Sequence, residues 1–246
     1  MSNICLTPKE TTEALINSSL NKTSMSIRKK LLLSIMAGVF ISLGAQGFMT
    51  AYDNTFLRAA IFPIGLMLIV IVGGELFTGD CLMTFGLVHK QIKVKDYLQT
   101  MVLVYLGNFI GSLIIVYLIY NGGVYSNQSL INAIIALSKA KISMPFVEAL
   151  TKGILCNILV TLGVWFATSA KDTSGKILGC WFPILLFVLC GYEHCIANMF
   201  FLPMGAIFDS SISWVNILIN NLLPVTIGNF IGGGIIIPLI YYKVYY

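Results

Sequence analysis

The sequence predicts an all-α integral membrane protein with six transmembrane helices, which form two inverted three-helix repeats and are broken in the second and fifth helices. Composition is the first observation behind this prediction, because 57% of the 246 residues are hydrophobic and only 10% are charged. Soluble domains are roughly 45–50% apolar and about 25% charged. The mean hydropathy is +0.89, so we expect the chain to be embedded in the lipid bilayer.

Six apolar runs are the second observation. Each is long enough to cross roughly 30 Å of hydrocarbon, and they lie at about 31–51, 60–88, 97–120, 147–170, 177–208 and 215–242. The second and fifth runs are too long for one crossing and contain the polar stretches "GGELFTGDC" and "GYEHCIANM", which predicts a break in each helix. We interpret residues 1–246 as one transmembrane domain, in which residues 1–21 form a cytoplasmic segment before the first span.

The distribution of Lys and Arg predicts the orientation in the membrane. With a cytoplasmic N-terminus, eleven of these residues fall in cytoplasmic segments, whereas three fall outside: Arg58, Lys139 and Lys141. Cytoplasmic loops are enriched in Lys and Arg, so we expect both termini in the cytoplasm, a multi-pass protein of the cell membrane, and a long external loop at about 121–146. This topology accounts for the basic residues, and the net charge of +5 does not imply a nucleic-acid partner.

Internal repetition is the third observation. "FPIGLMLIVIVGGE" from Phe62 matches "FPILLFVLCGYE" from Phe182, and "GNFIGSLII" from Gly107 matches "GNFIGGGII" from Gly228, with offsets of 120 and 121 residues. Each half holds three spans, an odd number, so the two halves have opposite orientations. Inverted repeats with a broken helix in each half are typical of proteins with a transport site near the membrane midplane. Polar side chains are tolerated at that depth where they line a cavity.

Four blocks of the sequence resemble the signatures of the formate/nitrite transporter family, especially its bacterial formate channels. They are "LFTG" (76–79), "GILCNILVTLGVWF" (153–166), "GYEHCIANMFFLPMG" (191–205) and "NLLPVTIGNFIGGG" (221–234). The resemblance implies an aquaporin-like protomer, a homopentamer, and in each protomer a pore for small monovalent anions and protons, without a metal or other cofactor. Formate or nitrite is the expected anion, and hydrosulfide is the alternative within the family.

The resemblance also assigns roles to individual residues. It places His194, Thr78 and Asn157 in the central pore, and it identifies Lys22 and Lys141 as lysines that attract anions at the two mouths. The residues that match the constrictions of the pore are Phe62, Leu66, Leu76, Phe77, Val160 and Phe187.

The chemistry of such a pore can be argued from the residues alone. A bare anion in an apolar constriction carries a large desolvation penalty that its neutral acid avoids, so the constriction favours protonation. Lysines at the mouths concentrate anions, and imidazole has a proton affinity near physiological pH. The sequence leaves open whether His194 gives the proton or only hydrogen-bonds the passing species.

Other polar residues of the apolar runs are interpreted as supports of the broken helices that tie down backbone groups: Glu193, Asn198, Asn229, Asn108 and Glu75. A bare carboxylate would repel anions, which favours this structural role for the two glutamates. Two residues depart from the family pattern. Lys152 lies four residues after Glu148, a favourable spacing for an ion pair on a helix, and Asp80 stands where small uncharged residues are common.

Two other classes of function compete with this interpretation. An intramembrane enzyme would need a nucleophile with a base or a set of metal ligands, and the sequence contains neither HExxH nor GxSxG, so we do not expect an enzyme. A channel for neutral solutes such as water or glycerol shares the six-span inverted-repeat plan and is the alternative of a different class. Its usual paired NPA motifs are replaced by "LFTG" and "IANM".

Overall fold

Helices are the regular elements of residues 5–246, the part of the chain that this computed structural model describes. The first half contains α1 (Pro8–Ser24), α2 (Ile27–Thr50), α3 (Thr55–Ile61), α4 (Ile64–Val72), α5 (Phe77–Asp80), a 3-10 turn (Cys81–Met83), α6 (Thr84–Val88) and α7 (Val94–Asn121). The second half contains α8 (Gln128–Ile142), α9 (Phe146–Ser169), α10 (Thr173–Leu189) and α11 (Cys195–Phe208). It ends in a helix in which π-helical turns (Asn216–Leu222 and Ile231–Ile236) alternate with α12 (Leu223–Phe230) and α13 (Ile237–Tyr245).

Within residues 5–246, five helices are long and apolar enough to cross a membrane: Ile27–Thr50, Thr55–Val72, Val94–Asn121, Phe146–Ser169 and Asn216–Tyr245. Shorter apolar helices cover Phe77–Val88, Thr173–Leu189 and Cys195–Phe208. The predicted second and fifth spans are thus each divided into two half-helices. The all-helical membrane fold with two broken helices is confirmed, whereas the number of six crossings stays a prediction.

Each break begins at a glycine whose backbone lies in the left-handed region. Gly73 has a φ of 105° directly after α4, and Gly191 has a φ of 68° shortly after α10. Residues with a Cβ rarely adopt these values, so glycine allows the first half-helix to end abruptly. The chain then runs extended for a few residues before α5 and α11 begin at Phe77 and Cys195. The free N–H groups at these two helix starts need partners inside the protein.

The two repeats are larger than the sequence predicts, because each includes a further short helix. α1 packs against α6, and α8 packs against α11. In both pairs a glycine of the second helix lies against a serine of the first. A Cβ on Gly86 would overlap Ser19 Cβ, and a Cβ on Gly205 would overlap Ser138 Oγ. The connection predicted at 121–146 does lie between α7 and α9, but most of it is the helix α8 (Gln128–Ile142) and not an irregular loop.

Close helix packing within each half uses the repeated glycine motif. A Cβ on Gly111 of α7 would overlap the Ile35 carbonyl oxygen of α2, and a Cβ on Gly232 would overlap the Ile154 carbonyl oxygen of α9. Small residues allow helix backbones to touch in membranes, where van der Waals contact drives association. The repeated motif therefore serves close packing between helices.

Two local features of the backbone differ from a simple six-span plan. The second span has an extra interruption at Phe62–Pro63, between α3 and α4, where the proline lacks an N–H for the helix ladder. The last span contains two π-helical turns, which release carbonyl groups from regular pairing. Pro63 marks the first feature in the sequence, whereas the π-helical turns have no strong signature there.

Candidate functional site

The two helix breaks meet at a contact between Thr78 and His194, called the central pair below. Thr78 Oγ1 lies 3.0 Å from His194 Nε2, and both side chains are buried. The two residues are 116 positions apart in sequence and are brought together because α5 and α11 both start at this depth. An imidazole and a hydroxyl therefore face each other in the buried interior of the protein.

The orientation of the His194 ring follows from its second nitrogen. His194 is the N-cap of α11, and its Nδ1 accepts a hydrogen bond of 3.1 Å from the Ala197 N–H. An acceptor nitrogen carries no proton, so the neutral ring holds its proton on Nε2. His194 Nε2–H therefore donates to Thr78 Oγ1, and a proton on Nδ1 would require the loss of the helix cap.

Two asparagines at equivalent positions satisfy the backbone of the breaks. Asn108 Oδ1 accepts from the Phe77 N–H at 3.0 Å, and Asn108 Nδ2 donates to the carbonyl oxygens of Ser34 at 2.8 Å and Glu75 at 2.9 Å. The side chain thus joins the start of α5, the break before it and α2. Phe77 N–H, one of the free donors at a helix start, is satisfied in this way.

Asn229 repeats this arrangement in the second half. Its Oδ1 accepts from the Cys195 N–H at 2.9 Å, and its Nδ2 donates to the carbonyl oxygens of Gly153 at 2.8 Å and Glu193 at 2.9 Å. The start of α11, its preceding break and α9 are therefore joined by one side chain.

Two cavities approach the central pair from opposite sides. The first, here called the α1 vestibule, has a volume of 370 Å³ and is lined in part by Lys22, Glu75, Asp80, Leu66 and Leu76. The second, here called the α8 vestibule, has a volume of 320 Å³ and is lined in part by Lys141, Glu193, His194, Phe62 and Phe187. The central histidine is reached from the α8 vestibule.

Each vestibule contains a lysine bound to buried carboxylates. Lys22 Nζ lies 2.5 Å from Glu75 Oε2 and 2.8 Å from Asp80 Oδ1, whereas Lys141 Nζ lies 2.6 Å from Glu193 Oε1. Burial by itself lowers the pKa of the Lys22 ammonium, but the carboxylates of Asp80 and Glu75 outweigh it and hold that pKa above its usual value. The Lys22 ammonium is therefore charged, and both lysines are paired with carboxylates.

Glu193 has different partners from those that the sequence predicts. The prediction is that it accepts from backbone N–H groups, but its Oε2 accepts from Asn198 Nδ2 at 2.7 Å and from Asn221 Nδ2 at 3.5 Å, and its Oε1 binds Lys141. That prediction is wrong in its partner, since the carboxylate lies in a side-chain network. The same correction applies to Glu75, whose carboxylate binds Lys22. A buried ammonium attracts a carboxylate more strongly than a neutral amide does.

The aromatic residues predicted as constrictions take two different positions. Phe187 stacks on the His194 ring with 5.9 Å between ring centroids, and Phe62 meets Phe187 edge to face at 5.7 Å. Phe77 instead packs against Tyr105 at 5.0 Å and lines neither vestibule. Phe62 and Phe187 therefore stand directly beside the central pair, and Phe77 faces α7.

The remaining predicted residues lie behind the pore surface. Val160 is buried, and Asn157 Nδ2 donates to the Asn229 carbonyl oxygen at 2.7 Å. Asn157 Oδ1 is buried without a hydrogen-bond partner among the described residues. Neither residue lines a vestibule. The hydrogen bond of Asn157 links α9 to the helix that carries Asn229.

Some residues of the site have little or no signal in the sequence. Asn221 donates to the Lys141 carbonyl oxygen at 3.1 Å and accepts from Asn198. It lies in a π-helical turn, and no motif in the sequence predicts that its side chain belongs to the site. Arg58 lines the α8 vestibule with Lys152, and Lys152 Nζ lies 2.8 Å from Glu148 Oε1. The spacing of Glu148 and Lys152 predicts that ion pair.

A family model described as "Formate/nitrite transporter" matches residues 9–243 of this chain. Among curated proteins, the chain is 36% identical to an uncharacterised transporter, YrhG, of Bacillus subtilis (strain 168), over 97% of this chain and 93% of that protein. It is 33% identical to the formate channel BtFdhC of Bacillus thuringiensis, over 97% of this chain and 95% of that protein.

Two solved structures share the fold. An ion channel described as a member of the FNT family has a TM-score of 0.89 and 28% identity, with 96% of this chain and 98% of that chain covered. A pentameric formate channel with formate bound has a TM-score of 0.79 and 30% identity, with 89% of this chain and 97% of that chain covered. These relatives are named as channels and transporters.

Proposed function

Because this chain belongs to the formate/nitrite transporter family, we propose that it conducts small monovalent anions across the membrane, with formate as the principal substrate. One relative is named a formate channel, and one solved structure of the same fold holds formate. The observation in this chain that carries the proposal is the central pair, a single buried imidazole and hydroxyl at 3.0 Å between two vestibules. Nitrite and hydrosulfide are the competing anions because they share the charge and small size of formate.

We propose that the pore is narrowest around the central pair. Leu66 and Leu76 line the α1 vestibule and Phe62 and Phe187 line the α8 vestibule, which supports a role for these apolar side chains as constrictions. An anion loses its hydration in such apolar walls at a large cost, whereas its conjugate acid crosses as a small polar molecule. We therefore propose that the substrate crosses this zone with a proton bound, so that one proton moves with each anion.

His194 acts as a hydrogen-bond donor in this scheme. Its Nδ1 is occupied by the Ala197 N–H, so the ring offers Nε2–H to the substrate when the substrate takes the place of the Thr78 hydroxyl. Giving up that proton would leave an anionic ring in an apolar site, which is costly. The substrate proton is therefore supplied from the vestibules, and His194 positions the molecule that carries it.

Positive potential draws the anion to the centre. Lys22 and Lys141 are each paired with carboxylates, so the further positive charge at the α8 vestibule comes from Arg58 and Lys152. The N-terminus of α11 begins beside the central pair, and the partial positive charge of a helix N-terminus attracts anions.

The assembly and orientation follow the family. We propose a homopentamer in which every protomer has its own pore, because a structure with this fold is pentameric. The distribution of Lys and Arg favours cytoplasmic termini, which places the α1 vestibule on the cytoplasmic side of the cell membrane. Native mass spectrometry in detergent tests the stoichiometry, and protease access to the termini in intact cells tests the orientation.

Uptake into proteoliposomes tests the substrate. Purified protein is reconstituted, and entry of formate, nitrite and hydrosulfide is compared with osmotic swelling in water and glycerol at several external pH values. We expect formate entry to be fastest and to rise as the pH falls, with protons entering alongside. Entry of water or glycerol without any small anion would contradict the proposal and favour a neutral-solute channel.

A further inference from the structure

We propose that Asp80 and Glu75, held by Lys22, form a proton-binding site that supplies the proton to an anion entering from the α1 vestibule. The proposal rests on the anion conduction proposed above and goes beyond it by assigning the proton source on one side of the pore. It starts from Asp80, whose buried carboxylate shares one lysine with the buried carboxylate of Glu75.

Lys22 of the α1 vestibule binds one carboxylate more than Lys141 of the α8 vestibule does. Lys22 binds both Glu75 and Asp80, at 2.5 and 2.8 Å, whereas Lys141 binds Glu193 at 2.6 Å. Glu75 is 6% exposed and Asp80 is 2% exposed. Two buried carboxylates on one ammonium leave an excess negative charge in a medium of low dielectric constant, and binding of one proton removes that excess.

Comparison of the two halves shows which residue takes the proton. Asp80 and Glu75 each lie 118 residues before their equivalents, Asn198 and Glu193. In the second half, Asn198 Nδ2–H donates to Glu193 Oε2 at 2.7 Å. An ionised aspartate has no proton to donate, whereas a protonated one has an O–H. Asp80 therefore reproduces the role of Asn198 when it is the protonated member of the pair.

The free oxygen of Asp80 provides the place for this proton. Asp80 Oδ1 accepts from Lys22, whereas Asp80 Oδ2 is buried without a hydrogen-bond partner among residues 5–246. Asp80 lines the α1 vestibule together with Leu76 and lies two residues after Thr78 of the central pair. A proton on Oδ2 is thus located where an anion meets the apolar constriction.

The charges around this site come from several helices. Lys22 of α1 contacts both carboxylates, and Lys30 of α2, whose Nζ donates to Thr100 Oγ1 at 2.7 Å, acts on them through space. The other titratable groups that face the site are Cys81 next to Asp80, Tyr97 of α7 and Lys176 of α10, which lines the same cavity.

The proton transfer is balanced within the site and its solvent. The Asp80 Oδ2–H bond breaks, an O–H bond forms on the carboxylate of formate, and neutral formic acid moves past the central pair. Asp80 is left ionised beside the Lys22 ammonium and takes a new proton from the solution in the α1 vestibule. On the α8 side Asn198 carries no exchangeable acid proton, so the proton there comes from bulk solution. Entry from the α1 side should therefore depend less on bulk pH than entry from the α8 side.

Direction-resolved flux tests the proposal with the variant Asp80→Asn. Formate-driven proton movement is measured in each direction across proteoliposomes whose orientation has been determined by protease access to the C-terminus. Asn has the shape of Asp and can still donate to Glu75, but it delivers no proton. Loss of an acid catalyst of this kind should slow formate entry from the α1 side at neutral pH by about tenfold or more, and the deficit should shrink as bulk pH falls.

The control and the second variant keep the outcomes distinct. Asp96→Asn removes an acid of α7 that lines neither vestibule, and it should leave the pH profile of wild type. An Asp80→Asn profile equal to wild type in both directions would overturn the proposal. If wild type conducts no formate in either direction, the proposed function has failed, and the proton-binding site is then decided by a spectroscopic measurement.

Infrared difference spectroscopy detects the bound proton directly. Wild type at neutral pH should show the carbonyl band of a buried protonated carboxyl group, and Asp80→Asn should lack it. Glu75→Gln leaves Asp80 as the one carboxylate on Lys22, so Asp80 should ionise and the band should again be lost. A wild-type spectrum without such a band overturns the proposal whatever the flux results.

Discussion

Asn108 and Asn229 make the same three hydrogen bonds at equivalent points of the two halves. Each accepts from the first N–H of a half-helix, Phe77 or Cys195, and each donates to two carbonyl oxygens, one in the preceding break and one in a neighbouring helix. Because these backbone groups lie in an apolar core, one amide side chain fixes each break in place. The geometry of the central pair depends on both.

Asn108→Leu tests this anchoring. Leucine has a similar volume but leaves the Phe77 N–H and two carbonyl groups buried without partners, each at a cost of about 1–3 kcal/mol. We expect the free energy of unfolding to fall by about 3 kcal/mol or more, measured by denaturant unfolding in detergent. The control is Asn121→Leu, at an exposed residue that bonds the Tyr117 carbonyl oxygen. Equal effects of the two variants would contradict the anchoring role.

Two substitutions of His194 separate helix capping from substrate contact. Asn caps helices well, so His194→Asn should retain the bond to the Ala197 N–H while it loses the donor that reaches Thr78. We expect near-normal stability and a changed pH dependence of formate flux. His194→Phe should lose both functions, with an added loss of about 1 kcal/mol of stability from the missing cap. Flux with an unaltered pH dependence in both variants would exclude His194 from the conduction step.

The Lys141 and Glu193 pair should show strong coupling. Lys141→Met leaves the buried Glu193 carboxylate with only its amide partners, Asn198 and Asn221, and an uncompensated buried charge costs about 3–5 kcal/mol. The double variant Lys141→Met with Glu193→Gln removes that charge and should recover most of the stability. A double-mutant cycle by thermal unfolding in detergent measures the coupling. Additive effects would show that the two groups do not interact energetically.

Gly111→Ala tests the close contact between α7 and α2. The new Cβ would overlap the Ile35 carbonyl oxygen, and a backbone atom in a packed helix cannot move aside, so we expect a loss of about 1–3 kcal/mol or failure to fold. Gly47→Ala is the matched control, because its Cβ would meet the Ile61 Cγ2 methyl group at 2.5 Å, which a side-chain rotation relieves. Stability and yield from membranes, measured for both variants, decide the outcome.

The sequence by itself determined the class of the fold and the location of its breaks. Runs of apolar residues must be helical in lipid because no water is present to satisfy the backbone. Gly73 and Gly191 lie within polar stretches that interrupt long apolar runs, and the repeat offset alone pairs Glu75 with Glu193 and Asn108 with Asn229. These patterns are local or repeated along the chain, so they can be recognised without knowing which distant residues come into contact in the folded protein.

Only the tertiary structure decided which residues meet. Thr78 and His194 lie 116 residues apart, and Lys22 reaches Glu75 and Asp80 from a helix outside the predicted spans. The sequence predicts a loop at α8 because the apolar content there is lower than that of the spans. The structural equivalence of α8 and α1 appears only in the matching contacts of Ser138 with Gly205 and of Ser19 with Gly86. Ion pairs and hydrogen bonds between distant segments depend on where the chain folds back, and a one-dimensional pattern does not carry that information.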